Sequence, residues 1–322
     1  MIKPYIYSII LFLMFISISS CSTFQYEEED IESFNALCKE IDRTQNNAFI
    51  FFTDPHIDDV RAKLFDDFIK PIYKYYTYLD LDFCICGVDW LNNSDTQQEA
   101  IQKLEDIDNA MSIFGDRNYY PVLGNHDTNY QGKLNQNSIE WSGKLPHETL
   151  VELLFKKYRQ TYYSYSSKGT KFYILDSGLD TNQDMDMFRW DQINWLGTDL
   201  LNITEQYIVL VIHIYTNDGV SPESFAKNIM ELAEAYNEST HITLNDISYD
   251  FSYSKGKIGC IICGHCHFDF INNTNSIPVI GTTHLKDGGI SSFDICLLDW
   301  DSNKLHMYRV GSGSNRIINL AK

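Results

Sequence analysis

The chain has 322 residues, with 25 Lys and Arg against 44 Asp and Glu and a formal net charge of −19 at pH 7. Affinity for a phosphate backbone comes from Lys and Arg, so this balance argues against nucleic-acid and other polyanion binding. No Gly/Ser/Pro linker, repeat or low-complexity tract divides the chain, and its length suits one large domain.

At the N-terminus, Lys3 precedes the apolar run Ile9 to Ile16 and then Ile18-Ser19-Ser20-Cys21, the charged, apolar and small-residue regions of a secretory signal. The run is short for a membrane span, which needs about 20 apolar residues. The small residues before Cys21 resemble a bacterial lipobox, implying removal of residues 1–20 and acylation of Cys21; an uncleaved anchor is the alternative. Glu27-Glu28-Glu29-Asp30 reads as part of a solvated acidic tether over residues 21–45, ahead of a domain over 46–322. The expected location is the cell envelope, exported to the periplasmic or outer surface and held at the membrane by lipid.

Apolar runs and polar motifs then alternate in chain order. Phe49-Ile50-Phe51-Phe52 leads through Thr53 into Asp54-Pro55-His56. Val60, Leu64, Phe65, Phe68, Ile69 and Ile72 share a helical face that Pro71 should kink or end. Leu81 to Cys86 runs into Gly87-Val88-Asp89, and Ile101, Leu104, Ile107 and Met111 stripe a second helix. Tyr119 to Leu123 ends in Gly124-Asn125-His126-Asp127, and Leu150, Val151, Leu154, Phe155 and Tyr158 stripe a third. Tyr163-Ser164-Tyr165 and Phe172 to Leu175 flank Lys168-Gly169 as a hairpin. Ile208 to Ile212 closes on His213. Ser221-Pro222 caps a fourth helix through Phe225, Ile229, Leu232 and Tyr236. Ile258 to Cys263 closes on Gly264-His265-Cys266-His267, and Asp294 to Val310 reads as a last hairpin.

Continuous apolar runs of this length predict strands buried on both faces. Strands and helices interleaved in this way predict an α/β fold of packed layers. Residues just past such strands converge at one sheet rim, where α/β folds place their sites. Three carboxylate or amide oxygens (Asp54, Asp89, Asn125) and four imidazoles (His56, His213, His265, His267) suit a pair of divalent ions, Mn, Fe or Zn, rather than a thiolate site. Such a pair needs one bridging carboxylate and lowers the pKa of bound water to about 7. Asp89 is the expected bridge.

Asp-x-His, Gly-x-Asp, Gly-Asn-His-Asp, a lone His and Gly-His-x-His, in that order and each at a strand end, resemble the calcineurin-like metallophosphoesterase family over roughly Asn46 to the C-terminus. That resemblance implies a four-layer α-β-β-α sandwich. It also implies one metal held by Asp54, His56, Asp89 and His267, and a second held by Asp89, Asn125, His213 and His265. His126 would protonate the leaving oxygen or steady the transition state, with Asp127 orienting its ring. Val88 stands where many members have Gly, which alters a turn but removes no ligand. Asn92 stands where purple acid phosphatases carry a metal-binding Tyr, which argues against that subgroup.

His147, His241, His284 and His306 fall outside the pattern and read as structural or surface groups, with His284 the one closest to a substrate. Cys260, Cys263 and Cys266 have cluster-like spacing, but the further Cys of a ferredoxin run is missing. Cys84 and Cys86 read as small hydrophobes. With Cys21 acylated, seven Cys remain, an odd number, so not all can pair internally. Two function classes follow. One is hydrolysis of a small mono- or diester by an in-line attack of metal-bridged hydroxide, with Asn92, Asn93, Tyr130 and Lys286 as candidates for the substrate pocket. The other is a non-catalytic envelope lipoprotein that binds a glycan or protein partner through aromatics such as Tyr162, Tyr163 and Tyr165; complete ligands and an intact His126 disfavour it.

Overall fold

The computed structural model describes residues 21–57, 64–92, 96–115, 118–129, 144–177, 189–215, 224–273, 276–285 and 291–322. The signal segment 1–20, Val60, Asn93, Tyr130, Ser221-Pro222 and Lys286 lie outside the described residues, as do the side chains of residues 21–30 and of Phe225.

The segment read as a tether begins as a helix, α1 (Cys21–Glu40). Its Glu, Ala, Leu and Lys residues are good helix formers, which a charge-run argument overlooks. The described residues up to Asp42 belong to one compact unit and Arg43–Lys322 form a second.

In the larger unit, β1 (Ala48–Phe52) is followed by a π-helical turn, Leu64–Ile69, and α2 (Lys70–Tyr78). Pro71 stands in the first turn of α2, where its missing N–H costs nothing, so it marks the break but opens a helix rather than ending one. Then come β2 (Phe83–Cys86), α3 (Gln97–Met111), β3 (Tyr119–Pro121), α4 (His147–Leu154), β4 (Tyr163–Ser167), β5 (Thr170–Ile174) and α5 (Trp190–Leu200). Next are β6 (Tyr207–Val211), α6 (Ser224–Glu238), β7 (His241–Leu244), β8 (Ile247–Asp250), β9 (Lys257–Cys263), β10 (Phe270–Asn272) and β11 (Val279–Gly281). The last three strands are β12 (Phe293–Asp299), β13 (Lys304–Val310) and β14 (Arg316–Asn319). The predicted stripe of α3 is buried at Leu104, Ile107 and Met111, and Thr96 closes a capping box with Glu99. Both predicted hairpins form, with Ser167 opposite Thr170 and Asp299 opposite Lys304.

The strands make two six-stranded sheets, ordered β14-β13-β12-β1-β2-β3 and β10-β11-β9-β6-β5-β4, beside a two-stranded ribbon, β7-β8. Phe49 and Phe83 of the first sheet meet Phe172 of the second at 5.9 and 5.1 Å between ring centres. The indole of Trp300 donates to Thr170 between them at 2.9 Å. Tyr75 of α2 packs on Phe293 of the first sheet. Ile193 and Leu196 of α5 and Ile229 and Leu232 of α6 bury against Leu210 and Ile261 of the second. Helices thus flank both outer faces, the α-β-β-α layering expected. Strands β1, β2 and β3 run parallel, as do β5, β6, β9 and β11. Parallel strands release the residues that follow them at one rim.

Candidate metal centre

The backbone beyond β1 and β2 continues their pairing. Asp54 N donates to Val88 O, His56 N to Asp89 O and Ile57 N to Trp90 O, at 3.0, 3.0 and 2.8 Å. This zipper places Asp54, His56 and Asp89 side by side. Asp54, His56, Asp89, His265 and His267 all have positive φ, at 53, 42, 78, 69 and 59°. For residues with a Cβ this region costs on the order of 1–3 kcal/mol each and persists only where the surroundings impose it. Two glycines create the room. A Cβ at Gly124 would lie 2.1 Å from Asp89 Oδ1, and one at Gly264 would lie 2.0 Å from Thr53 Oγ1 and 2.6 Å from Asp54 Oδ2.

Each carboxylate uses one oxygen to hold backbone and leaves the other facing the rim. Asp54 Oδ2 accepts from Thr53 Oγ1 at 2.6 Å and from His265 N at 2.9 Å. Asp89 Oδ1 accepts from His126 N at 2.7 Å. Two imidazoles divide their nitrogens in the same way: Nδ1–H of His56 donates to Leu91 O at 3.2 Å, and that of His213 to Gly87 O at 2.6 Å. Anchoring Nδ1 leaves Nε2 available as a ligand atom.

The remaining atoms converge. His213 Nε2 is 2.9 Å from Asp89 Oδ2 and 3.8 Å from Asp54 Oδ1. His267 Nε2 is 3.2 Å from Asp54 Oδ1 and 3.0 Å from His56 Nε2, which is itself 3.6 Å from Asp54 Oδ1. Three overlapping groups could each hold a cation: Asp54, His56 and His267; His56, Asp89 and His126; and Asp89, His213 and His265. The first and third are the expected half-sites without Asn125 and without the bridging share of Asp89. Asn125 precedes His126 in the turn after β3, with its carbonyl accepting from Thr128 Oγ1 at 2.8 Å.

Asp54 Oδ1, Asp89 Oδ2, Asn125 Oδ1 and His213 Nε2 are buried and make no well-aligned hydrogen bond among the described residues. Buried polar atoms left without partners are costly. Oxygen and imidazole donors gathered this way fit a divalent cation. The electrostatics agree. Burial raises Asp54, but His213 and then His267 and His56 outweigh it and hold the carboxyl well below its usual range. Burial likewise lowers His213, yet Asp89 and Asp54 push it up to about 10. That negative field attracts positive charge. His265 is half-buried beside His213, and that burial lowers it to about 4, which keeps its imidazole neutral and able to coordinate.

His126 lies at the edge, its Nε2 4.0 Å from Asp89 Oδ2 and its ring edge-on to His56 at 4.7 Å. Burial holds its imidazole below the ordinary value, although Asp89 pulls the other way. Asp127 departs from the expected role. Its carboxylate accepts from the N–H groups of Trp90, Gly124 and Asp89 at 2.7, 3.0 and 3.2 Å, while His126 Nδ1 has no hydrogen-bond partner among the described residues. Three backbone donors thus hold Asp127 between the Gly124 turn and the Asp89 turn, and no hydrogen bond joins it to the His126 ring among the described residues. Burial and the neighbouring Asp89 push it up to about 7.

His284 sits 5.0 Å from the His267 ring and is half-buried, so it borders the centre. His147 bonds Thr161, His241 pairs with Asp250 at the surface, and His306 is buried in β13, so each is a structural or surface group. Cys84, Cys86, Cys260, Cys263 and Cys296 are buried thiols that burial pushes up. Tyr163 and Tyr165 do not form a binding face: Tyr163 is buried with its hydroxyl on Pro121 O, and Tyr165 stacks between Tyr120 and Phe172. Sequence reasoning missed Ser177, whose Oγ accepts from the N–H groups of His213 and Ile214 at 3.2 and 2.8 Å. It follows the run Phe172 to Leu175 as the motifs follow their runs, and that punctuation was the signal.

Fold and site together define a metal-binding centre on a two-sheet α/β sandwich. The calcineurin-like phosphoesterase family model matches residues 48–269, and the chain belongs to that family. Among solved structures the chain is similar to PhoD, with 12% identity, 85% of this chain and 68% of that chain covered, and a TM-score of 0.48. It is also similar to GAP50, the anchor in the inner membrane complex of Plasmodium, at 12% identity, 86% and 90% coverage and a TM-score of 0.49. A comparison with curated protein sequences finds no match.

Proposed function

We propose that the chain is a metal-dependent hydrolase of small phosphoesters with two divalent ions, Mn, Fe or Zn, at the rim. One would be held by Asp54, His56, Asp89 and His267, the other by Asp89, Asn125, His213 and His265. The observation that carries this reading is the convergence beyond β1, β2, β6 and β9 of the buried ligand atoms of Asp54, Asp89 and His213, which make no well-aligned hydrogen bond among the described residues, with the imidazoles of His56, His265 and His267. Bound there, the ions would supply hydroxide at neutral pH and would neutralise charge on the phosphoryl group. The chain's own part is to fix the geometry through Thr53, Gly87, Leu91 and Ser177, and to set Asp89 between the two halves. His126 protonates the leaving oxygen. Its ring is partly exposed, and its backbone N–H is fixed on the carboxylate of Asp89.

The envelope location belongs to the same proposal: Cys21 carries lipid, and the larger unit is displayed beyond it. Among the described residues no helix is long and apolar enough to cross a membrane. A panel of phosphate mono- and diesters, assayed with the metal-reconstituted domain, tests the reaction. Hydrolysis that appears only with metal supports it, and inertness toward every ester in the presence of bound metal would favour a binding role.

A further inference from the structure

We propose, resting on the metal-binding reading above, that Asp269 and Arg309 are positioning residues that set the His265–His267 loop for metal. The loop lies on the second sheet, but what anchors it comes from the first. Arg309 on β13 holds Asp294 on β12 with two bonds of 3.0 Å, through Nε and Nη2. The same Nη2 reaches Asp269 Oδ1 at 2.7 Å. Arg316 on β14 adds a bond of 2.7 Å to Asp294 and one of 2.6 Å to Gly281 O on β11. Asp294 and the Arg309 side chain are almost fully buried.

From Asp269 the connection continues to His267. Asp269 Oδ1 accepts from Thr283 N at 3.0 Å, and Thr283 Oγ1 donates to His267 O at 3.0 Å. His267 needs such a hold. Its side chain is 44% exposed, so little packing fixes it, and its φ of 59° is disfavoured for a residue with a side chain. A buried ion cluster is weak evidence for stability, because apolar residues of the same volume often serve as well. What they cannot supply is a directional, charged link that grips Asp294 with two bonds and reaches with one more to Asp269, beside the loop that carries two ligands of the other sheet. Arg is suited to that task by its planar fork and its constant charge. Outer partners of this kind commonly change metal affinity 10–100-fold when removed.

The test uses the full chain, with Mn²⁺ as the probe. Calorimetric titration of Asp269→Asn and Arg309→Lys should show Mn²⁺ affinity reduced roughly 10–100-fold in at least one class of site. Thr283→Val, a near-isosteric change that removes only the bond to His267 O, should weaken the same class to a smaller degree with its unfolding midpoint close to that of the parent. It decides the matter if the charge variants fail to fold. Variants with lowered midpoints and parental Mn²⁺ affinity would reduce the cluster to structural glue and overturn the proposal. A parent chain that binds no Mn²⁺, Fe²⁺ or Zn²⁺ would instead defeat the metal reading itself, and this inference with it.

Discussion

His56 and His267, 211 residues apart, face each other with their Nε2 atoms 3.0 Å apart, and both lie within 3.6 Å of Asp54 Oδ1. Two imidazole nitrogens at that distance cannot both direct lone pairs at each other without a proton or a cation between them. The first prediction follows from this crowding. Adding Mn²⁺ or Zn²⁺ to chelator-treated protein should raise its unfolding midpoint in a concentration-dependent way, with a stabilisation of about 2.7 kcal/mol per site at a hundredfold excess over Kd. Calorimetry showing a midpoint indifferent to metal would contradict it.

The pH dependence of the metal-free protein has a definite sign. His213 rises from 6.5 to about 10 in the folded chain, so between those values the folded state holds a proton that the unfolded state has released. Its contribution is complete below about pH 6.5 and is lost as pH rises toward 10. Chemical denaturation across that range should show falling stability without metal. The fall should shrink with metal bound, since coordination displaces the same proton. A metal-free profile that rises through the window would show that His213 is not held as described.

His126 should separate from the ligands. His126→Ala should keep its metals and lose roughly 10²–10⁴ in rate on esters with poor leaving groups. On a nitrophenyl ester, whose leaving group needs little protonation, the loss should be much smaller. Equal losses on both esters would leave His126 a charge-stabilising role only.

At Gly264 space itself can be tested. An added methyl meets Thr53 Oγ1 at 2.0 Å and Asp54 Oδ2 at 2.6 Å, so Gly264→Ala should destabilise by roughly 1–3 kcal/mol. It should also lower metal content, because the displaced atoms hold the Asp54 carboxylate. Thermal unfolding and elemental analysis read both effects, and a variant with unchanged stability and metal content would refute the close approach.

What was legible in the sequence, and what was not, divides along physical lines. The strand ends were readable because β1 and β2 are buried throughout and β6 and β9 are buried after their first residue, so each polar residue after an apolar run stands out. The hairpins and helix stripes followed from period and turn chemistry. Asp127 was misjudged because its partners are backbone N–H groups from two other turns, which no side-chain motif encodes. Tyr163 and Tyr165 looked available because alternation with Ser reads as one wet face, whereas β4 is the sheet edge and both rings turn onto aromatic neighbours. The Arg309–Asp269 link joins positions 40 apart on different sheets and has no local signature.

The proposed lipid anchor makes its own prediction. Cys21→Ser should abolish labelled fatty-acid incorporation and release the protein from the membrane fraction. A domain starting near Arg43 should hydrolyse esters at the full rate, since every proposed ligand lies beyond it. Retention of uncleaved, unacylated Cys21→Ser protein in the membrane would indicate a signal anchor instead.

In the proposed centre Asp89 joins the two halves, with its Oδ2 2.9 Å from His213 Nε2 and 4.0 Å from both His56 and His126 Nε2. Asp89→Asn should therefore weaken both halves at once. Metal content by elemental analysis and phosphoester hydrolysis, measured on the same preparation, should fall together. An active Asp89→Asn protein still holding two tightly bound metal ions would contradict the account.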